Sequence, residues 1–181
     1  MNSNKFVKTV LVGTGTLLIL AGGMTAVIDP FFHYHKPLKQ LEYPLERGKE
    51  RYLNNGIIQN FDYDAAITGT SMMQNFKTSQ FDDLFGTHSV KVTLTGDTYW
   101  AIDEEIRTIF DNKSDIKYIF RCLDYNKIFD DKSDYNYDNV PTYLYDNNIW
   151  NDVQYLFNKD IFIDNTLGVI KYTLHGEKTP S

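Results

Sequence analysis

Residues 64–73 read DAAITGTSMM, a short apolar run that ends at Gly69 and gives way to the polar pair Thr70-Ser71. A serine just beyond a buried strand and just before a helix offers its hydroxyl to substrate. The backbone amides of the following turn then face outward, where they can stabilise a developing oxyanion. That combination suits acyl transfer through a covalent ester on Ser71. The same two residues also suit a structural role, because Ser and Thr are preferred helix N-caps.

Whether Ser71 meets partners depends on the elements around it. Residues 64–68 predict a buried strand. Residues 79–82, SQFD, have the form of a capping box opening a short helix that Gly86 closes. Val90, Val92 and Leu94 alternate with polar residues as a second strand ending at Gly96. Asp97-Thr98 then supplies an N-cap, and Ile102, Ile106, Ile109 and Phe110 fall on one face of a helix. A third strand follows in residues 116–123, IKYIFRCL, and apolar spacing at Val153 and Phe157, then at Leu167, Ile170 and Leu174, predicts two further helices. Strand and helix alternating with short connections predicts a parallel sheet flanked by helices. Right-handed crossovers bring the carboxyl ends of the strands to one edge, where ligands of open α/β sheets bind. Gly69-Thr70-Ser71, Gly96-Asp97-Thr98 and Asp124-Tyr125-Asn126 are expected there together.

Ahead of this pattern, residues 10–28 hold 19 positions without a charge. At about 1.5 Å per residue that run is long enough to cross the hydrocarbon layer of a bilayer. A cleaved signal peptide is the competing reading, since Lys5 and Lys8 form a positive n-region. The apolar run exceeds the usual length and no A-x-A precedes Asp29, so an anchor is favoured. Gly13 and Gly15 imitate a dinucleotide loop but lack the third glycine and read as membrane-helix glycines; Gly15 and Gly22 could pack a second helix. Basic residues on the amino side put that end in the cytoplasm and the rest outside. The division is then residues 1–28 as cytoplasmic tip and anchor, 29–60 as juxtamembrane connector and 61–181 as α/β domain.

Setting Lys5 and Lys8 aside leaves 16 basic against 24 acidic side chains, a charge of −8 that excludes a nucleic-acid footprint. The single Cys122 has no internal disulfide partner and reads as a buried structural thiol. His33 and His35 lack a third ligand at suitable spacing and read as exposed or headgroup-level side chains. Asp134, Asn136 and Asp138 imitate a calcium loop, but Asn139 stands in place of its glycine and Tyr145 in place of its closing Glu. No metal and no cofactor is expected. The surrounding Tyr/Asn/Asp-rich stretch reads as a solvated loop, with Tyr135, Tyr137 and Tyr143 as an alternative sugar-contacting surface.

At YDAAITGTSMMQNF the chain resembles the SGNH (GDSL-type) hydrolase superfamily, with Gly69-Thr70-Ser71 in place of Gly-Asp-Ser. The layout, with DPFFHYHKPL after one membrane helix, is similar to membrane-anchored SGNH-like proteins of Gram-positive bacteria and, more distantly, to D-alanyl-lipoteichoic acid assembly proteins. The resemblance implies a partial flavodoxin-like sheet with Ser71 as nucleophile. It also implies oxyanion donors at Gly96 in LTGDTYW and at Asn126 in RCLDYN, with Thr70, Asp97 and Asp124 as further site candidates. The superfamily takes its general base from a late Asp-x-x-His block, and none of His33, His35, His88 and His175 has Asp three positions before it. The chain is therefore expected to be truncated ahead of that block and weakly active or inactive by itself. The implied role is an extracytoplasmic esterase or O-acyltransferase on a cell-envelope glycan or teichoic-acid-like polymer, partnered by a membrane-bound O-acyltransferase. The alternative is a non-catalytic, membrane-tethered scaffold that binds a glycan or a partner protein.

Overall fold

A computed structural model describes residues 3–44, 48–134, 140–146 and 148–176. The chain divides into two units: described residues 3–30, 37–44 and 146–176 form one, and 31–36 with 48–145 the other.

The second unit holds the sheet. Strands β1 (Ala65–Gly69), β2 (Ser89–Thr93) and β3 (Tyr118–Arg121) are all parallel, in the order β2-β1-β3. Helix α2 (Glu50–Asn60) precedes β1, α3 (Thr78–Phe85) links β1 to β2, and α4 (Tyr99–Asn112) links β2 to β3. The expected α/β architecture is therefore present, with three parallel strands and flanking helices. Register explains the two faces, because alternate residues of a strand point to opposite sides. Ala66, Val90 and Ile119 align on one face and pack with Ile58, Tyr63, Val92 and Ile109. Ile67, Lys91 and Phe120 align on the other, where Phe81 lies 5.6 Å from Phe120 and Phe85 the same distance from Tyr118.

Several local expectations shift. The capping box does not form: α3 begins at Thr78 without a side-chain cap, and Asp82 instead accepts from Ser89 N at 2.8 Å and Thr87 Oγ1 at 3.1 Å beyond the helix end. Gly86 does close the helix in the left-handed conformation. Thr98 alone caps α4, accepting from Ala101 N, because Asp97 is paired with Arg51. Phe110 is 57% exposed rather than part of the buried stripe of Ile102 and Ile109. Cys122 is only half-buried.

Helix α2 lies within the stretch expected to be a connector. Its sequence hides it, because Asn54, Asn55 and Gly56 interrupt the apolar periodicity. All three are buried for specific reasons. The two asparagines donate to Thr93 O and Leu144 O, and a Cβ on Gly56 would lie 2.2 Å from Phe31 O and 2.6 Å from Phe32 O.

In the other unit, α1 (Ser3–Ile28) is long and apolar enough to cross a membrane. Its last turns contact α5 (Val153–Leu156) and a π-helix (Ile161–Thr166) that runs into α6 (Leu167–Leu174), the two further helices expected from spacing. Gly22 is not free to pack a second α1, because the Phe157 ring lies 2.9 Å from where its Cβ would be. Asp29 ends the helix at φ 47, buried, with its carboxylate accepting from Tyr155 OH at 2.7 Å.

Gly56→Ala forces a methyl into backbone atoms that cannot rotate away, so it should cost about 3 kcal/mol, the top of the range for overpacking. Gly168→Ala in α6, with open space around it, should be neutral or slightly stabilising. Denaturant midpoints at unchanged slope measure both.

Candidate functional site

The strand order reverses at β1, so the loops after β1 and β3 diverge at the carboxyl edge and leave a crevice of the kind open α/β sheets use for ligands. Gly69 ends β1 at φ 147, a conformation L side chains rarely adopt, and a Cβ there would lie 2.7 Å from Met73 Cγ and 3.1 Å from Cys122 Cβ. The turn therefore needs glycine. Thr68 O and Gly69 O accept from Cys122 N at 3.1 Å and Leu94 N at 2.9 Å, which ties the ends of all three strands together.

Thr70 is buried and occupies the crevice. Its hydroxyl donates to Asp124 Oδ2 at 2.5 Å and accepts from Met72 N at 3.5 Å, capping a short 3-10 helix, Ser71–Asn75. Ser71 is exposed at the first position of that helix. The cap and the exposed hydroxyl thus fall on neighbouring residues, with Thr70 taking the structural part. Asp124 is held by more than Thr70, since Tyr99 OH donates to its carbonyl at 2.8 Å and the Arg121 guanidinium lies 5.0 Å from the Tyr99 ring centre. Burial and the charge of Asp124 push the Cys122 thiol up, the wrong direction for a thiolate nucleophile.

Gly96 is exposed in the loop after β2 at φ 70, and its carbonyl accepts from Lys127 Nζ at 3.3 Å, which joins that loop to the one after β3. Asn126 is exposed in a short 3-10 helix, Tyr125–Lys127. Ser71, Gly96 and Asn126 therefore all stand exposed on loops at the carboxyl edge, and Thr70 meets Asp124 directly. Asp97 serves another neighbourhood, forming a largely buried ion pair with Arg51. Tyr135, Tyr137, Asn136, Asp138 and Asn139 lie outside the described residues. Among the described residues no cluster of His, Cys, Asp or Glu could hold a metal ion.

No histidine of this unit reaches Ser71. His88 precedes β2, where its backbone pairs with Asp64 at the amino edge, and the five residues of β2 span roughly 16 Å. His33 lies at the carboxyl end of α2, where Asn60 donates to its carbonyl, while the amino end of α2 meets the carboxyl edge. Eleven helical residues separate those ends by roughly 16 Å. His33 and His35 are half-buried rather than exposed.

Beside the crevice is a set of residues that sequence reasoning missed. Three cavities of about 480, 360 and 350 Å³ share Arg51 in their linings. The largest also carries Glu50, Tyr52, Thr95, Asp97 and Tyr143, the second Gly96 and Lys127, and the third Glu105 and Tyr145. Partial burial works against ionisation of Glu50, but hydrogen bonds from Thr95, Gln74 and backbone amides outweigh it and hold the carboxyl below the usual range. Thr95 Oγ1 donates to Glu50 at 2.5 Å and Gln74 Nε2 at 2.8 Å. The mixed charge of residues 48–51 was the one available signal, and it lay in the stretch read as a juxtamembrane connector.

Glu105 is the buried acid of this region. Burial pushes its carboxyl up to about 7, against hydrogen bonding from Tyr145 and Asn54 and the charge of Arg51. Tyr145 OH lies 3.0 Å from Glu105 Oε1 and 2.6 Å from Arg51 O, while Glu105 Oε2 is buried without a hydrogen-bond partner.

A carboxyl whose pKa rises on folding, from its ordinary 4.5 to about 7, binds its proton more tightly in the folded state. Its contribution to stability is complete below pH 4.5 and is lost as pH rises through 7, a change of roughly 3 kcal/mol. Glu105→Gln should remove that slope, so the difference between parent and variant unfolding free energies should grow in the variant's favour from pH 5 to pH 8. A parallel pair of profiles would contradict the assignment. Comparison of the chain with protein-family models, curated proteins and solved structures finds no match.

Proposed function

We propose that this chain is a membrane-anchored, extracytoplasmic SGNH-like esterase or O-acyltransferase with Ser71 as nucleophile. The observation that carries the reading is the exposed Ser71 hydroxyl just past the central parallel strand, on a turn that only glycine at position 69 accommodates. A tight strand-to-helix turn is one way in which α/β-hydrolases expose a nucleophilic serine. The order β2-β1-β3 is in keeping with a partial flavodoxin-like sheet. In this scheme the backbone N–H of Gly96 and the side chain of Asn126 donate to the oxyanion. The carboxylate that the Gly-Asp-Ser pattern would place at position 70 comes across the crevice from Asp124, bonded to Thr70.

The anchor is α1, crossing the bilayer once with Lys5 and Lys8 in the cytoplasm. The substrate is an acyl ester of a cell-envelope glycan or teichoic-acid-like polymer, and a membrane-bound O-acyltransferase would supply the acyl group. Because His33, His35 and His88 lie away from the carboxyl edge, Ser71 has no imidazole base from its own unit, so acylation that draws on that unit alone is slow. Added imidazole should therefore help. Incubation of the purified chain with a fluorophosphonate is expected to give an adduct on Ser71, found by peptide mass spectrometry, that forms faster with imidazole and is absent in Ser71→Ala. No adduct at Ser71, with or without imidazole, would count decisively against the reading.

A second reading, a tethered glycan-binding module, is favoured by the cavity of about 480 Å³. Tyr52 and Tyr143 line it together with Glu50 and Asp97, and aromatic faces with carboxylate acceptors suit sugar hydroxyls. On this reading Tyr143→Ala lowers retention on cell-wall polysaccharide at least tenfold and Ser71→Ala leaves it unchanged.

A further inference from the structure

The lipid-facing length of α1 is set by where protein begins to cover it. Its buried positions are Gly22, Thr25 and Ile28, all in the last two turns. Upstream the large side chains stand open, with Leu11 at 66%, Leu17 at 69% and Ile19 at 72% exposure. Phe157 lies against Gly22, and Thr166 Oγ1 donates to Thr25 Oγ1 at 3.3 Å. Protein contact thus starts at Gly22. The uncharged stretch 9–21 ahead of it measures about 20 Å as a helix, and the long side chains of Lys5 and Lys8 at its far end reach toward the headgroups, so most of the hydrocarbon thickness of a bilayer is crossed before Gly22.

A segment seated on Gly22 therefore lies close to the level where the helix leaves the bilayer. That segment is the stretch leading into and through α5, and it is unusually apolar on its open side. Ile149 is 74% exposed, Trp150 84%, Val153 52% and Phe157 46%. Val153 and Phe157 are one helical turn apart, and Ile149 and Trp150 stand exposed in the hydrogen-bonded turns just before them. The acid of the segment, Asp152, is buried away from this side. In water such a row is costly, whereas tryptophan and neighbouring apolar side chains are stable at the boundary between headgroups and acyl chains.

We propose that residues 149–157 form a membrane-surface platform, in which Ile149, Trp150, Val153 and Phe157 enter the headgroup–acyl boundary of the lipid bilayer beside the exit of α1. The proposal rests on the reading that α1 crosses the membrane. The platform fixes the depth of the anchor: α1 cannot slide deeper without burying charged residues such as Lys159, and cannot rise without stripping Trp150 from lipid. It gives the segment a role that neither Ser71 nor the cavities around Arg51 require.

The chain has two tryptophans, so Trp100→Phe leaves Trp150 as the sole indole. The full-length variant is reconstituted in phosphatidylglycerol–phosphatidylcholine vesicles, with carbonate extraction as an independent measure of whether α1 is inserted. The expected result is a carbonate-resistant chain with blue-shifted Trp150 emission. Its quenching should be about twofold stronger with lipid brominated near the headgroup than with lipid brominated near the chain end, as a depth of about 5–10 Å requires. A carbonate-resistant chain whose Trp150 emits as in water, unquenched by either lipid, overturns the platform and leaves the anchor standing. A chain released by carbonate overturns both, and the extraction identifies the anchor as the failing part. Circular dichroism of Trp100→Phe against the parent guards against misfolding, and Trp100→Tyr replaces it where the spectra differ.

Discussion

Asn54 and Asn55 are almost inaccessible to solvent, and each donates its side-chain amide to a carbonyl of another segment, Thr93 O and Leu144 O. Together with Arg51–Asp97 and Glu50–Thr95, these bonds make one short helix the clamp for the loops at the carboxyl edge. Buried polar groups are worth little net when paired and cost about 1–3 kcal/mol when one partner is lost. The clamp therefore acts less as a source of stability than as a penalty on every other loop arrangement. Gly56 permits it, because the backbone of residues 31 and 32 passes where any side chain would stand. The three cavities around Arg51 exist because the loops are held open at these points rather than collapsed onto the sheet.

The sheet was legible because its signals are local. The apolar run of residues 64–68, the alternation in 90–94 and the glycines that follow depend only on near neighbours, and the parallel arrangement follows from strand and helix alternating. Helix α2 was not legible, because Asn54, Asn55 and Gly56 stand on its buried side between Leu53 and Ile58, and the partners of the two asparagines, Thr93 and Leu144, lie 39 and 89 residues away in sequence. Periodicity counts apolar side chains and has no means of recognising an asparagine that is buried because it is bonded. The capping box failed for a related reason: Asp82 had two uses, and the Ser89 amide and the Thr87 hydroxyl took its carboxylate in place of the start of its own helix. Of the site, the edge that carries Ser71, Gly96 and Asn126 could be read from the chain, while Arg51, Glu105 and Tyr145 could not, since their meeting is a product of tertiary packing alone.

The choice between cap and nucleophile at the GTS turn looks different once each hydroxyl has its place. A single serine could not serve both purposes well, because a hydroxyl that accepts from a helix amide and donates to a carboxylate has no orientation left for substrate. Here the cap falls to one of two adjacent hydroxyls. Thr70 is buried, bonded to Asp124 and to Met72 N, while Ser71 faces solvent. The β-branched Thr suits the buried role, since its restricted χ1 keeps the oxygen aimed across the crevice. The bond also joins the segments after β1 and β3, the two strands whose loops diverge, so it sets the separation of those loops.

The end of α1 poses the corresponding problem in the other unit, where a helix without a charged residue between Lys8 and Asp29 must stop at a defined point. Asp29 takes the left-handed conformation that glycine usually supplies, at φ 47, and it is completely buried. Left-handed geometry is tolerated in Asp because a short polar side chain can bond locally, yet a buried carboxylate without a donor would be far costlier than the backbone strain. Tyr155 supplies a donor at 2.7 Å and is itself fully buried. Tyr43 OH donates to Ile28 O at 2.8 Å, satisfying one of the carbonyls the helix end leaves open. The stop is therefore written in side chains from residues 43 and 155 rather than in a glycine at the terminus. A helix ended this way keeps a fixed last turn against its neighbours, which is the condition for α5 to be held at a constant level on it.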